Sequence, residues 1–182
     1  MTEGLLPSHP KEDFMSAIYP GSFDPVTNGH INIARRAASI MGHLVVAVLD
    51  NPDKTPMFSV SERLALLREV FSCDSNIEVD SFTGLLVDYA RQRGIRAIIR
   101  GIRGPEDLAK ELPYATWNRR LSQGLAQSAE TLYFTAEPEF VYVSGSIVKE
   151  VAAHLYKDGL DDMILSPMVP PAVRAALRVK LA

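Results

Sequence analysis

The stretch that decides the fold is residues 15–41, which read MSAIYPGSFDPVTNGHINIARRAASIM. A short apolar run over 17–19 is ended by Pro20 and Gly21, two residues that commonly terminate secondary structure. After a polar turn, apolar residues recur at helical spacing, namely Ile31, Ile33, Ala34, Ala37, Ala38 and Met41. The stretch therefore predicts a strand, a loop and a helix, in that order.

The loop between this strand and this helix is a candidate phosphate site. In an open parallel sheet, ligands bind beyond the carboxyl ends of the strands, where the next helix begins. The first N–H groups of that helix and its positive dipole end attract anions. Asn28 is the predicted N-cap, which places Gly29 and His30 in the first turn. Taken alone, His30 has a simpler interpretation, a hydrogen bond from its ring to nearby backbone.

The loop matches neither of the common glycine-rich phosphate motifs, G-x-G-x-x-G and G-x-x-x-x-G-K-[ST]. Residues 21–30, GSFDPVTNGH, instead resemble the G-[ST]-F-D-P-x-[TH]-x-G-H signature of the nucleotidyltransferase superfamily, in the variant typical of bacterial phosphopantetheine adenylyltransferases. The matching residues include Ser22, Phe23, Asp24, Pro25, Thr27, Gly29 and His30. The resemblance runs in order through nearly the whole chain from residue 17 onward.

The composition is that of one globular domain in a reducing compartment. The 182-residue chain is long enough for a single core, and we predict one domain over 15–182 behind a frayed extension over 1–14. The lone Cys73 excludes an internal disulfide. Residues 1–14 lack the features of a secretory signal, and no apolar run is long enough to span a bilayer. We therefore expect a cytoplasmic protein with no membrane partner.

Outside the deciding stretch, apolar strands alternate with amphipathic helices. His43–Leu49 is a continuous apolar run, typical of a strand covered on both faces. Ser59 and Glu62 predict a capping box at the start of the second helix. Further strands are predicted at 77–79, 95–99 and 131–134, and further helices at 84–93, 105–121, from Ser144 or Ser146 to Gly159, and from Pro170 or Pro171 onward. This pattern predicts an α/β, Rossmann-like fold, a doubly wound parallel five-stranded sheet with helices on both faces.

The positions of individual charged residues say more about a ligand site than the net charge does. Nineteen Lys and Arg residues against 22 Asp and Glu residues give a formal charge of −3, so no overall positive field attracts nucleic acid. An anionic ligand must therefore be held by cations and hydroxyls gathered at one place. Such groups follow four of the predicted strands, and they are Ser22, His30, Lys54, Arg100, Arg103, Ser144 and Ser146. They converge if the sheet is doubly wound.

The resemblance implies roles for the acceptor-binding residues. Lys54 stands where the family lysine binds the phosphate of 4'-phosphopantetheine. Arg100 is the first arginine of the family's I-R-G-x-R segment, which supplies one arginine to the same acceptor. Ser22 and Leu86 are also implied acceptor contacts, Leu86 along the pantetheine arm. Without the resemblance, Lys54 is equally consistent with a solvated loop lysine, and Leu86 with a core residue.

The resemblance also implies an ATP site. Ser144, Gly145 and Ser146 resemble the start of the family's S-S-S-x-x-K-E segment, although Ser144 alone is equally consistent with an ordinary helix N-cap. The implied ATP-binding residues are Ser22, Phe23, His30, Gly101, Ile102, Arg103, Glu111, Ser144, Gly145 and Ser146. The implied catalytic residues are His30, Ser22, Lys54 and Arg103. No protein metal ligand is implied, and Mg²⁺ is expected to enter with ATP.

Three residues depart from the family pattern. Lys110 stands where tyrosine is typical, Pro113 where glutamine is typical, and Gly145 where the central serine is typical. Because proline removes a helical N–H donor and clashes with the preceding turn, Pro113 predicts a kink or a break in helix 105–121. Glu111 lies near it, so its geometry depends on how the helix tolerates Pro113.

The implied activity is transfer of AMP from ATP to 4'-phosphopantetheine, giving dephospho-coenzyme A and pyrophosphate, by a homohexamer as in relatives. Two alternatives stay open at this point. One is another adenylyl- or cytidylyltransferase with the same first signature, acting on nicotinate mononucleotide or a phosphorylated alcohol. The other is a non-catalytic nucleotide-binding module, for which Lys110, Pro113 and Gly145 would be signs of decay.

Overall fold

A parallel sheet forms the centre of the fold. The computed structural model describes residues 15–50, 55–123 and 128–181. Its strands are β1 (Ser16–Gly21), β2 (His43–Leu49), β3 (Ile77–Phe82), β4 (Ala97–Ile102) and β5 (Glu130–Thr135). They lie in the order β3-β2-β1-β4-β5, so the chain winds outward from the central β1 in both directions. The predicted α/β, doubly wound five-stranded sheet is confirmed.

Helices connect the strands and cover both faces of the sheet. They are α1 (Asn28–Met41), α2 (Val60–Val70), α3 (Leu86–Gln92), α4 (Pro105–Ser122), α5 (Gly145–Lys157) and α6 (Pro171–Leu181), with short 3-10 helices at Pro138–Phe140 and Asp162–Leu165. The predicted capping box of Ser59 and Glu62 is confirmed, and Ser144 caps α5. Within the described ranges, no helix combines the length and apolarity that crossing a bilayer requires.

Strand β2 shows why its sequence is apolar without interruption. Leu44, Val46 and Val48 belong to the larger core cluster, which includes most of α1, while Val45 and Ala47 belong to a smaller cluster on the other face. All five side chains are fully buried. Successive side chains of a strand point to opposite faces, so a strand covered on both sides needs an apolar residue at every position.

The sheet extends further than the sequence predicts. Strand β4 was expected over 95–99, but it runs to Ile102 because Arg100, Gly101 and Ile102 pair with β5 through Tyr133, Phe134 and Thr135. Strand β3 was expected over 77–79, but it runs to Phe82, which pairs with Leu49. Arg100 therefore projects from the sheet itself rather than from the loop after it.

One helix prediction is wrong, and for another helix one of the two predicted outcomes is excluded. Thr27, not Asn28, is the N-cap of α1, because the Thr27 hydroxyl accepts the N–H of His30. Helix α4 is not split at Pro113. Pro113 lacks an N–H to donate to the carbonyl of Ala109. Both residues are exposed, so that carbonyl is accessible to solvent and the proline ring lies outside the core.

Candidate active site

His30 is held at the start of α1 by the helix cap. Its Nδ1 accepts the backbone N–H of Thr27 at 3.1 Å, while its own N–H donates to the Thr27 hydroxyl at 3.3 Å. A backbone N–H can only donate, so this geometry assigns Nδ1 as an acceptor. The neutral ring therefore carries its proton on Nε2. His30 presents one N–H donor to whatever lies beyond the helix start.

The environment of His30 favours the neutral ring. Burial, followed by the nearby positive charge of Arg103, lowers the pKa of His30 to about 4. The ring also meets the ring of Phe23 edge-on, with the centroids 5.2 Å apart. At neutral pH the imidazole is consequently a hydrogen-bond donor without charge.

A cavity lined by four residues of the signature segment lies at the carboxyl ends of β1 and β2, has a volume of about 390 Å³ and is called the main cavity for that reason. Its lining residues are Ser22, Asp24, Pro25, His30, Leu49, Thr55, Pro56, Arg63, Gly145, Ser146 and Lys149. This set contains hydroxyls, cations and the first residues of α5, a helix whose positive dipole end faces the cavity. These are the groups that bind phosphate.

A second cavity, of about 210 Å³, lies between β4, α4 and α5. Its lining residues are Tyr19, Thr27, Gly29, His30, Ile33, Gly101, Arg103, Asp107, Glu111, Ala136, Phe140, Val143, Ser144 and Gly145. The mixture of apolar side chains with a few polar groups is typical of a pocket for an organic ligand. His30 and Gly145 line both cavities, so the two meet at the start of α1 and α5.

The two predicted arginines have different partners. Arg103 forms a bidentate pair with Asp107, with Nε 2.7 Å from Oδ2 and Nη2 3.1 Å from Oδ1, and this pairing raises the pKa of Arg103. Arg100 pairs with Glu111 at 2.8 Å and donates to the carbonyl of Pro20. Arg103 lines the second cavity, whereas Arg100 lines a smaller one of about 160 Å³ that His30 also reaches.

A buried carboxylate joins the main cavity's two sides. Asp24 accepts the backbone N–H of Met57 at 3.1 Å and that of Phe58 at 2.9 Å, and its Oδ2 lies 2.6 Å from the ammonium of Lys149 on α5. Burial opposes ionisation, but these contacts outweigh it and lower the pKa of Asp24. Asp24 thus fixes the segment before α2 against α5.

The chain matches known proteins over most of its length. The family model described as Cytidylyltransferase-like matches residues 18–151. The phosphopantetheine adenylyltransferase of Anaeromyxobacter dehalogenans (strain 2CP-C) is 43% identical over 91% of this chain and 94% of its own length. Those of Heliobacterium modesticaldum (43% identical; 90% and 91%) and Alkaliphilus metalliredigens (48% identical; 74% and 83%) are similar relatives.

The chain belongs to the phosphopantetheine adenylyltransferase family.

The residues that carry the resemblance to phosphopantetheine adenylyltransferases come together at the two cavities. Ser22 and Ser146 line the main cavity, Gly101, Arg103, Glu111 and Ser144 line the second, and His30 and Gly145 line both. Of the groups expected to converge, Ser22, His30, Arg103, Ser144 and Ser146 therefore line these cavities, and Arg100 lines the smaller cavity beside His30. These positions lie far apart along the chain, and only the winding order of the strands brings them to one edge.

Besides Arg100, three described residues implied by the phosphopantetheine adenylyltransferase resemblance line neither of these two cavities. Phe23 and Ile102 are buried, Phe23 with its ring against His30. Leu86 packs against the smaller core cluster. Lys54 lies outside the described residues, as does the predicted extension over 1–14.

Gly145, a departure from the family's serine pattern, stands where the chain approaches itself closely. A Cβ at this position would lie 2.8 Å from the carbonyl oxygen of Asp24, so a side chain requires the backbone to shift. The sequence did not predict this contact, nor the roles of Thr27, Arg63 and Lys149. Thr27 lies inside the family signature, whereas no sequence pattern singled out Arg63.

Proposed function

We propose that the protein transfers AMP from ATP to 4'-phosphopantetheine, giving dephospho-coenzyme A and pyrophosphate. The observation that carries this proposal is the position of His30, a neutral N–H donor lining both cavities. A donor there can bind the α-phosphate of ATP while a nucleotide occupies the second cavity and an acceptor occupies the main one.

The nucleotide half of the site would use the second cavity. Gly101 and Ile102 would offer backbone atoms, Glu111 would contact the adenosine, and Arg103 would bind the outer phosphates. The start of α5 would hold the phosphates through Ser144, Gly145 and Ser146. The family names and the convergence of these residues support this arrangement.

The acceptor half would use Ser22, Lys54, Arg100 and Leu86, the residues that the resemblance implies. A phosphomonoester is already an anionic nucleophile at neutral pH, so the reaction needs no general base. An acceptor phosphate oxygen attacks the α-phosphorus directly, the bond between the α-phosphorus and the bridging oxygen breaks, and that oxygen leaves with pyrophosphate. No covalent enzyme intermediate forms.

Catalysis in this scheme consists of alignment and charge stabilisation. Holding two reactants in line removes much of the entropic barrier, and donors aimed at the developing charge lower the rest. His30 and Ser22 would stabilise the five-coordinate α-phosphate, Lys54 would align the acceptor, and Arg103 would stabilise the departing pyrophosphate. Exchange of Asp107 for phosphate oxygens would free Arg103 for this role.

Mg²⁺ is the proposed cofactor and would arrive as its ATP complex. Mg²⁺ prefers phosphate oxygens and water in octahedral geometry and often takes few protein ligands. The cluster of serines and arginines in the site suits the phosphates of such a complex rather than the ion itself.

We also propose a cytoplasmic homohexamer. Helix α4 exposes an unusual number of large apolar side chains, which an interface with another copy would cover. They are Leu108, Leu112, Tyr114, Trp117 and Leu121. Light scattering that gives six times the 20.0 kDa chain mass would support the hexamer, and a monomer mass would refute it.

Pyrophosphate release is the deciding experiment. The protein is mixed with ATP or CTP and with 4'-phosphopantetheine, nicotinate mononucleotide or a phosphorylated alcohol. Release with ATP and 4'-phosphopantetheine alone supports the proposal. Release with another pair would assign a different nucleotidyltransferase activity, and ATP binding without turnover would indicate a non-catalytic module. The relatives' shared name disfavours both of these alternatives.

A further inference from the structure

Arg63, on α2, is a buried charge without a counter-ion in the part of the chain that the structure describes. The residue is only 3% exposed, although arginine is almost never fully buried unless it is paired. None of the ion pairs among the described residues includes it. Its guanidinium instead donates to two backbone carbonyls, that of Ser22 at 2.8 Å and that of Ser59 at 3.4 Å.

These two contacts leave donor capacity unused. A guanidinium has five N–H donors, and the two bonds involve only Nη1 and Nε. Carbonyls also leave the positive charge itself unneutralised. A buried charge in this condition is expensive unless an anion completes its surroundings.

Arg63 lines the main cavity, and the other charges there cancel. Asp24 and Lys149 lie 2.6 Å apart and neutralise one another. Among the described lining residues, Arg63 is therefore the charge left over, beside Ser22, His30 and Ser146. The positive charge that remains on Arg63 favours binding of a negative group close to α2.

We propose that Arg63 binds the phosphate of the incoming phosphomonoester acceptor. The identity of the acceptor rests on the proposed function, whereas the anion site rests on the geometry of Arg63. Guanidinium forks match phosphate oxygens, and the bond from Nη1 to the Ser22 carbonyl would tie the phosphate to the loop that carries the Ser22 hydroxyl. The resemblance implies acceptor roles for Lys54 and Arg100 as well, so Arg63 would act beside Arg100, which pairs with Glu111 at 2.8 Å before a ligand binds.

The test compares ligands with and without the phosphate. Dissociation constants for 4'-phosphopantetheine, pantetheine and ATP are measured by calorimetry on the wild type, Arg63→Met and Arg63→Lys. Arg68→Met is the matched control, because Arg68 is exposed on the same helix. Loss of one charged hydrogen-bonding partner is expected to weaken 4'-phosphopantetheine by at least about tenfold in Arg63→Met. Affinities for pantetheine and ATP should stay within about twofold of the wild type.

A merely structural role for Arg63 predicts a different pattern. If Arg63 only holds the Ser22 loop, phosphopantetheine and pantetheine would weaken together, and the proposal would be wrong. An unchanged affinity for 4'-phosphopantetheine would also overturn it. If Arg63→Met fails to fold, as judged by circular dichroism, Arg63→Lys supplies the test: a several-fold loss confined to the phosphorylated ligand supports the proposal, and no selective loss refutes it.

Failure of the proposed function is distinguishable from failure of this inference. If the wild type releases no pyrophosphate with 4'-phosphopantetheine, the proposed activity is wrong. Inorganic phosphate then becomes the probe of Arg63. An anion that binds only the folded protein raises its melting temperature. Phosphate should then stabilise the wild type and Arg68→Met but not Arg63→Met or Arg63→Lys. Equal stabilisation of all four proteins would refute the anion site.

Discussion

The substitution Asp24→Asn tests the contact network that joins the two sides of the main cavity. The carboxylate accepts the N–H groups of Met57 and Phe58 and pairs with Lys149 at 2.6 Å, with 8% of the Asp24 side chain exposed. An amide offers one oxygen, so it cannot serve both backbone donors and the ammonium, and its NH₂ group repels whichever donor it faces. Lys149 would be left beside the site without its counter-charge.

The expected loss of unfolding free energy follows from these contacts. A hydrogen bond to a charged group contributes about 1.5–3 kcal/mol, and breaking a buried pair costs about 3–5 kcal/mol. Because the Lys149 side chain is 28% exposed and regains water, we expect a loss of about 2–4 kcal/mol for Asp24→Asn. Urea denaturation at pH 7 measures it.

Asp74→Asn is the matched control. Asp74 accepts three hydrogen bonds from Arg35, but 53% of the Arg35 side chain is exposed, and surface pairs contribute about 1 kcal/mol or less. A loss for Asp24→Asn no larger than that of the control would refute the reasoning. The double variant Asp24→Asn with Lys149→Met should lose less than the sum of the single variants, since it removes the orphaned charge.

Acid adds an independent check of the same network. The native contacts lower the pKa of Asp24, so its contribution to stability is present above its unfolded pKa of 3.8. That contribution is lost as the pH falls through the lower native pKa, because protonation removes the charge that the native contacts stabilise. Asp24→Asn should therefore flatten the stability profile in this acidic range. A profile unchanged by the substitution would contradict the assigned ion pair.

Four further predictions concern the reaction and its pH dependence. His30→Gln keeps a side chain able to complete the α1 capping box but removes the imidazole, so kcat should fall by at least about 10²-fold with melting temperature nearly unchanged; near-normal turnover would exclude His30 from the mechanism. Because the native pKa of His30 is about 4 against 6.5 unfolded, stability should drop as the pH falls from 6.5 to 4, and His30→Gln should remove that slope. Lys54→Ala should raise the KM for 4'-phosphopantetheine with ATP binding unchanged, and the opposite pattern would refute its role. Chelation of Mg²⁺ should abolish pyrophosphate release and restored Mg²⁺ should recover it; activity without the ion would refute the cofactor.

The sequence predicted the layout of the fold because its signals are local. The uninterrupted apolar run of β2 and the spacing of Ser59 and Glu62 each depend on neighbours a few residues apart. Element ends were less accurate for the same reason. Strand β4 reaches Ile102 because its last residues pair with β5. That pairing joins distant parts of the chain, so the residues next to Ile102 do not predict it.

The site residues that belong to a family signature could be predicted from the sequence, and the others could not. Ser22, His30 and Arg103 lie in recognisable segments, and the winding of the sheet then brings them together. Arg63 looks like one more basic residue on an amphipathic helix, and its burial and its contact with the Ser22 carbonyl exist only in three dimensions. The pairing of Arg100 with Glu111 likewise could not be predicted from the sequence.

The reciprocal contact between Thr27 and His30 makes the first turn of α1 itself sensitive to protons. A second proton on the ring would sit on Nδ1, the atom that receives the Thr27 N–H, and two donors would then face each other across 3.1 Å. Protonation would consequently break the bond from the Thr27 N–H to Nδ1, one of the two reciprocal bonds that cap the first turn of α1. Nδ1 of His30 thus contributes both to the cap of α1 and to the orientation of the ring, so protonation of this atom would affect both.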